Sequence, residues 1–139
     1  MDIVSQLKRD EGCRLEAYED TLGFWTIGYG HCDGEIEDGD VITQEEAETL
    51  LVKDIKDATE RVAKMFPWAK NLDEVRLAAL VNMSFQLGSK IGQFTRSMDC
   101  IRDGRYYEAE THLLNSLWAK QTPQRARRVA RQIATGEWQ

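Results

Sequence analysis

Residues 43–65 constrain this 139-residue chain more than any other stretch. Thr43-Gln44-Glu45-Glu46 reads as a capping box, in which the threonine oxygen caps an early amide and Glu46 reaches back to the start of the helix. Behind it Ala47, Leu50, Leu51, Ile55, Ala58 and Val62 recur at helical spacing on one face. The pattern predicts a helix to about Lys64, and Pro67 forbids simple continuation. At 1.5 Å per residue, some twenty residues span roughly 30 Å, enough to bridge two lobes.

The chain changes character on either side of this helix. Ahead of it, Ile3, Val4 and Leu7 mark a short amphipathic helix over residues 3–11, with Asp2 as N-cap and Gly12 as stop. Residues 14–31 then switch period: Leu15, Ala17 and Tyr18 lead into the turn Asp20-Thr21-Leu22-Gly23, and Phe24-Trp25-Thr26-Ile27 reads as a returning strand. Beyond the long helix only helical patterns follow. Asn71 with Glu74 opens one that carries Leu77, Ala78, Leu80, Val81, Ser84 and Phe85 and stops at Gly88. Thr95–Arg102 and Tyr106–Asn115 are shorter, and Thr122-Pro123 supplies an N-cap and a first-turn proline for a basic helix to about Ala134. The expected class is α+β and mostly helical, with one short antiparallel sheet near the N-terminus.

Composition narrows the function. With 42% hydrophobic and 30% charged residues the chain reads as a globular domain. No apolar run is long enough to span a bilayer, and Met1–Glu11 has acids where a signal peptide has a basic start and an apolar core, so no secretion signal is expected. Three cysteines (Cys13, Cys32 and Cys100) form no disulfide framework and read as buried or half-buried structural thiols. Two histidines, His31 and His112, cannot furnish ligand pairs at metal-site spacing. The acidic loop 33–40 fails the calcium-loop pattern, which needs glycine and glutamate where Asp38 and Gln44 stand. No metal and no cofactor is expected. Residues 1–60 hold 17 acids and 5 bases, residues 61–139 hold 7 acids and 13 bases, and the net charge is -6. The basic half suits approach to an anionic polymer, while the acidic half argues against nucleic acid.

The chemistry concentrates in Glu11, Asp20 and Thr26. Hydrolysis of a glycosidic bond needs a proton for the leaving oxygen and a nucleophile on the opposite face of the ring. Glu11 ends its helix, where the helix dipole and partial burial disfavour the charged form, which suits a general acid. Asp20 sits in a polar turn whose amides can stabilise its anion, which suits a base. A threonine hydroxyl both donates and accepts, so Thr26 can hold a water beside it.

The chain resembles the phage-type lysozymes. Asp10-Glu11-Gly12, the run Asp20–His31 ending Thr-Ile-Gly-Tyr-Gly-His, Val41-Ile42-Thr43, Asn82–Gly88, Gln121–Ala126 and Gly136-Glu137-Trp138 occur in that family's order across essentially the whole chain. The resemblance implies a lysozyme-like fold: a small β-containing lobe at 12–42, a bridging helix at 43–65, and a helical lobe at 66–139 with helix 3–11 packed on it. It implies hydrolysis of the β-1,4 bond between N-acetylmuramic acid and N-acetylglucosamine in peptidoglycan, with inversion, and with Glu11 as acid, Asp20 as base and Thr26 as water holder. Gly30, Phe85 and Gln86 match cleft positions that touch saccharide. His31 is expected to pair with Asp54 in a structural role, and Trp118 to be core. A monomer without stable membrane association is implied. It would accumulate in the host cytoplasm and need a separate hole-forming protein to reach the wall.

Two departures stand out. The loop between His31 and Val41 is shorter than in the T4-type enzymes, and Cys13 and Cys32 are unusual, which raises a Cys13–Cys32 bridge as an alternative to free thiols. The rival functions are a peptidoglycan-binding module without chemistry, a lytic transglycosylase and a zinc amidase. Intact Glu11, Asp20 and Thr26 argue against the first, Asp20 and Thr26 would be surplus in the second, and the third lacks ligands.

Overall fold

The computed structural model describes all residues, 1–139. Helix α1 (Ile3–Glu11) leads to strands β1 (Arg14–Glu19) and β2 (Trp25–Gly28), then to the long helix α2 (Gln44–Met65). Helices α3 (Glu74–Leu87), α4 (Thr95–Arg102), α5 (Tyr106–Leu114), α6 (Leu117–Gln121) and α7 (Pro123–Thr135) complete the chain. This is the expected mostly helical α+β class. No helix is long and apolar enough to cross a membrane. The chain divides into two compact units, Met1–Asp57 and Ala58–Gln139.

In the first unit the N-cap and capping box form as their residue types dictate. Asp2 Oδ1 accepts from Ser5 N at 2.8 Å. Thr43 Oγ1 accepts from Glu46 N, and Glu46 Oε1 from Thr43 N, each at 3.1 Å. Strands β1 and β2 pair antiparallel, with Tyr18 opposite Thr26, Glu19 opposite Trp25, and an irregularity between Arg14 and Tyr18. The segment after the acidic loop returns along the outer edge of β1, where Ala17 N donates to Asp40 O and Ile42 N to Leu15 O. Leu7, Ile27, Ala47 and Leu51 are buried.

In the second unit α7 packs on α3 and α5. Ala79, Leu80, Met83, Ile101, Ala109, Leu113, Ala126, Ala130 and Ile133 are almost completely excluded from solvent. Helix α3 is buried continuously from Ala78 to Ser84, as a central helix must be. Ser84 Oγ donates to Ala58 O at 2.9 Å and accepts from Arg61 Nη1 at 3.0 Å, which fastens the end of α2 to α3.

Three local expectations are corrected. Helix α3 starts at Glu74 with Asp73, not Asn71, as its cap, because Asp73 Oδ2 accepts from Arg76 N at 3.0 Å while Asn71 ends a 3-10 turn begun at Pro67. Thr122 does not cap α7, since its hydroxyl donates to Trp118 O. Cys13 and Cys32 are exposed, not half-buried; they and buried Cys100 are all free thiols.

One arginine carries the far end of α7. Arg76 Nε donates to Ile133 O at 2.6 Å and Nη2 to Ala134 O at 3.1 Å, so it occupies carbonyls that a helix end leaves open. Its guanidinium also pairs with Asp73 and lies 3.7 Å from the Tyr106 ring centroid. Gly136 follows with φ 71°, and a Cβ there would come within 2.9 Å of Arg76 Nη1. Arg76→Ala is expected to cost about 2–3 kcal/mol and to lower Tm by several degrees, measured by thermal unfolding followed by circular dichroism.

Candidate active site

The residues singled out near the N-terminus are held by two successive reversals of the chain. The first is the turn from Asp20 to Phe24. Asp20 N donates to Phe24 O at 2.8 Å, Gly23 N to Asp20 O at 3.0 Å, and Gly23 takes φ 86°. The Asp20 side chain belongs to the turn's own framework, because Leu22 N and Phe24 N both donate to its Oδ1 at 2.9 Å. Its Oδ2 accepts from no protein group. One oxygen therefore fixes the carboxylate and the other remains available.

The second reversal is Gly28-Tyr29-Gly30, closed by Ile27 and His31, which exchange N–H···O bonds of 2.9 Å. Gly28 takes φ 66°, which favours glycine, while a Cβ there would make only ordinary contacts with Ile42 Cδ1 at 3.4 Å and Ala47 Cβ at 3.6 Å. Gly30, with φ 74°, lies under the Glu11 carboxyl, and a Cβ on it would sit 3.2 Å from Glu11 Cδ and from both carboxyl oxygens. The glycine spacing thus has a concrete use, since it lets the turn close against the acid at the end of α1. Gly30→Ala is expected to push the Glu11 carboxyl aside and strain the turn, lowering lytic activity several-fold and stability by about 1–2 kcal/mol; paired turbidity and thermal-unfolding measurements check it.

Helix α1 is secured to the same turn by a polar cluster. Lys8 Nζ lies 2.8 Å from Glu48 Oε2, the Tyr29 hydroxyl donates to Glu48 Oε1 at 3.1 Å, and Gln44 Nε2 donates to both Tyr29 Oη and Glu48 Oε1. These contacts join α1, the second reversal and α2, three elements that together set where Glu11 stands.

Thr26 is 4% exposed on β2, and its hydroxyl donates to Phe24 O at 3.1 Å. With its proton committed to that carbonyl, Thr26 offers only lone pairs. His31 Nδ1 lies 2.7 Å from Asp54 Oδ2, and its Nε2 lies 2.9 Å from Asp33 Oδ2. Asp33 is a partner that sequence reasoning missed. Burial alone would lower the imidazole pKa, but the hydrogen bonds to Asp54 and then Asp33 outweigh it and raise it above the ordinary value.

The remaining residues singled out lie in the second unit. Phe85 and Gln86 are partly buried near the end of α3. Trp118 Nε1 donates to Gln86 Oε1 at 3.0 Å, and Phe94 meets the Trp118 ring edge-on at 5.8 Å. Trp118, 4% exposed, is core as expected, and it orients the Gln86 amide.

A carboxylate at a helix end and a second on a hairpin are the residue types that a glycoside hydrolase uses. Comparison with known proteins agrees. The family described as phage lysozyme matches residues 8–132. A probable T4-type lysozyme 1 of Dictyostelium discoideum is 34% identical over 160 aligned positions, covering 96% of this chain and 94% of that protein. An endolysin of Acyrthosiphon pisum secondary endosymbiont phage 1 is 53% identical over 53 residues, covering 38% of this chain and 36% of that protein. The pre-baseplate central spike protein Gp5 of Enterobacteria phage T4 is 32% identical over 98% of this chain but only 28% of its own length. The chain belongs to the phage lysozyme family. It is a glycoside hydrolase, a lysozyme that hydrolyses peptidoglycan.

Proposed function

We propose that the protein is an endolysin-type muramidase that cleaves the β-1,4 bond between N-acetylmuramic acid and N-acetylglucosamine with inversion. Glu11 is the general acid, Asp20 the base that activates water, and Thr26 the group that positions it. The observation that carries this reading is the division of labour within the first hairpin. Asp20 Oδ1 is taken up by two backbone amides, which leaves Oδ2 to accept a proton. The Thr26 hydroxyl already donates to Phe24 O, so it meets a water as an acceptor. A water that gives one hydrogen to Thr26 and the other to Asp20 presents a lone pair to the anomeric carbon. Glu11 protonates the departing sugar oxygen as that water attacks.

On the family resemblance, Gly30, Phe85 and Gln86 contact saccharide, and His31 with Asp54 serves the fold. The same resemblance supports a monomer that remains in the host cytoplasm until a separate hole-forming protein admits it to the wall.

The stereochemical outcome tests the reading. Proton NMR of freshly cleaved oligosaccharide should show the α anomer of the new reducing end first, followed by slow mutarotation. A β anomer appearing first would make Asp20 a nucleophile and overturn the assignment of a water-activating base.

A further inference from the structure

Arg14 stands on β1 without a carboxylate partner, in a unit crowded with them. Residues 1–57 hold 16 acids and 5 bases. Lys8 pairs with Glu48, Arg9 with Asp10 and Lys53 with Asp57. Arg14 instead lies over the ring of Tyr18, with its guanidinium carbon 4.2 Å from the centroid, and its side chain is exposed. Contact with the ring restrains the guanidinium while the side chain stays exposed to solvent.

Tyr18 ties that cation to the catalytic hairpin. It is the direct cross-strand partner of Thr26, so the two side chains rise from one face of the sheet. Its phenol pKa is raised, first by burial and then by the negative charge of Glu11, with the Arg14 cation opposing and Asp20 adding to the effect. The ring therefore lies within electrostatic reach of both carboxylates that the proposed mechanism uses. A restrained guanidinium beside that hairpin matches a planar anion, and a carboxylate taken by two parallel hydrogen bonds is the best match.

The substrate chemistry says where such an anion would come from. The hydroxyls and acetamido groups of the glycan are neutral. Carboxylates enter only through the lactyl ether of the muramoyl residue, either as the bare lactyl carboxylate or as carboxylates of a peptide attached to it. We propose that Arg14, laid on Tyr18, binds a carboxylate carried by the muramoyl residue and so acts as a specificity-determining residue. The inference rests on the muramidase reading.

The test compares wild type, Arg14→Gln and Arg14→Lys on three substrates with the same glycosidic bonds. These are glycan strands bearing peptides, strands stripped of peptide by an amidase, and stripped strands whose lactyl carboxylates have been converted to amides. Arg14→Gln should lose about tenfold in kcat/KM, mainly through KM, on a carboxylate-bearing strand. Arg14→Lys should lose less, because it keeps the charge but not the fork. On the amidated strands wild type should itself fall to the Arg14→Gln level, and the variants should lose nothing further. Loss confined to peptide-bearing strands assigns the carboxylate to the peptide, and loss on the stripped strands assigns it to the lactyl group. An equal loss on all three strands, or none on any, overturns the proposal. An inert wild type would overturn the muramidase reading and the Arg14 assignment with it, whereas an active wild type and an indifferent Arg14→Gln overturn the assignment alone.

Discussion

Glu11→Gln is expected to lower the rate of wall lysis by about 10²–10⁴-fold, the range over which a positioned proton donor contributes. The substitution nearly preserves volume and shape, so the carboxyl's place against Gly30 stays filled. What disappears is the transferable proton. Glu11 is the last residue of α1, and that helix is held in place by the Lys8–Glu48 pair, which does not involve Glu11. Tm should accordingly stay within a few degrees of wild type while turbidity loss on purified wall material nearly stops. Lysis within tenfold of wild type would remove Glu11 from the role of acid, and a collapse of Tm would assign it to the fold instead.

The second large effect concerns His31 and pH. Its side chain is 8% exposed, with a carboxylate on each ring nitrogen, so the protonated ring donates to both Asp54 and Asp33. Because the folded pKa is raised above 6.5, His31 stabilises the fold fully below that unfolded value, and the contribution is lost as pH rises through the higher folded value. Asp33 runs the other way. Its pKa is lowered, chiefly by the Glu35 amide and then by His31, so its contribution is present above its ordinary value of 3.8 and lost as pH falls through the lower folded one. Maximum stability from this cluster lies between those limits. His31→Asn should cost roughly 2–4 kcal/mol near pH 5–6, somewhat below a fully buried pair because both carboxylates keep some solvent. Tm measured from pH 4 to 9 should fall above pH 6.5 more steeply in wild type than in the variant. Parallel curves would contradict the role given to this cluster.

How much of this was legible in the sequence depended on whether the signal was local. The capping box at Thr43 and the proline at 67 bounded α2, because both act through bonds within one turn. The cap of α3 was misplaced at Asn71 because Asp73 competes two residues on, and only the 3-10 turn between Pro67 and Asn71 decides between them. Helix α6 has five residues, too few for a hydrophobic period, and it was missed. In the candidate site, the residue types of Glu11, Asp20 and Thr26 suit the chemistry proposed for them. The amides on Asp20 Oδ1 and the carbonyl that takes the Thr26 proton are properties of the folded turn, as is the second carboxylate on His31. Asp33 stands two residues from His31, but nothing in a loop's composition says which way its side chain turns. The Arg14–Tyr18 stack was hidden for a similar reason, since it spans an irregularity in the strand that the sequence does not announce.

The most direct test of the central claim is mass spectrometry of the fragments released from purified peptidoglycan, with Glu11→Gln run alongside. Water-activated muramidase chemistry predicts hydrated reducing ends on N-acetylmuramic acid, produced by wild type and nearly absent with the variant. Fragments ending in 1,6-anhydro-muramic acid would mean that no water attacks, and they would contradict the roles assigned to Asp20 and Thr26.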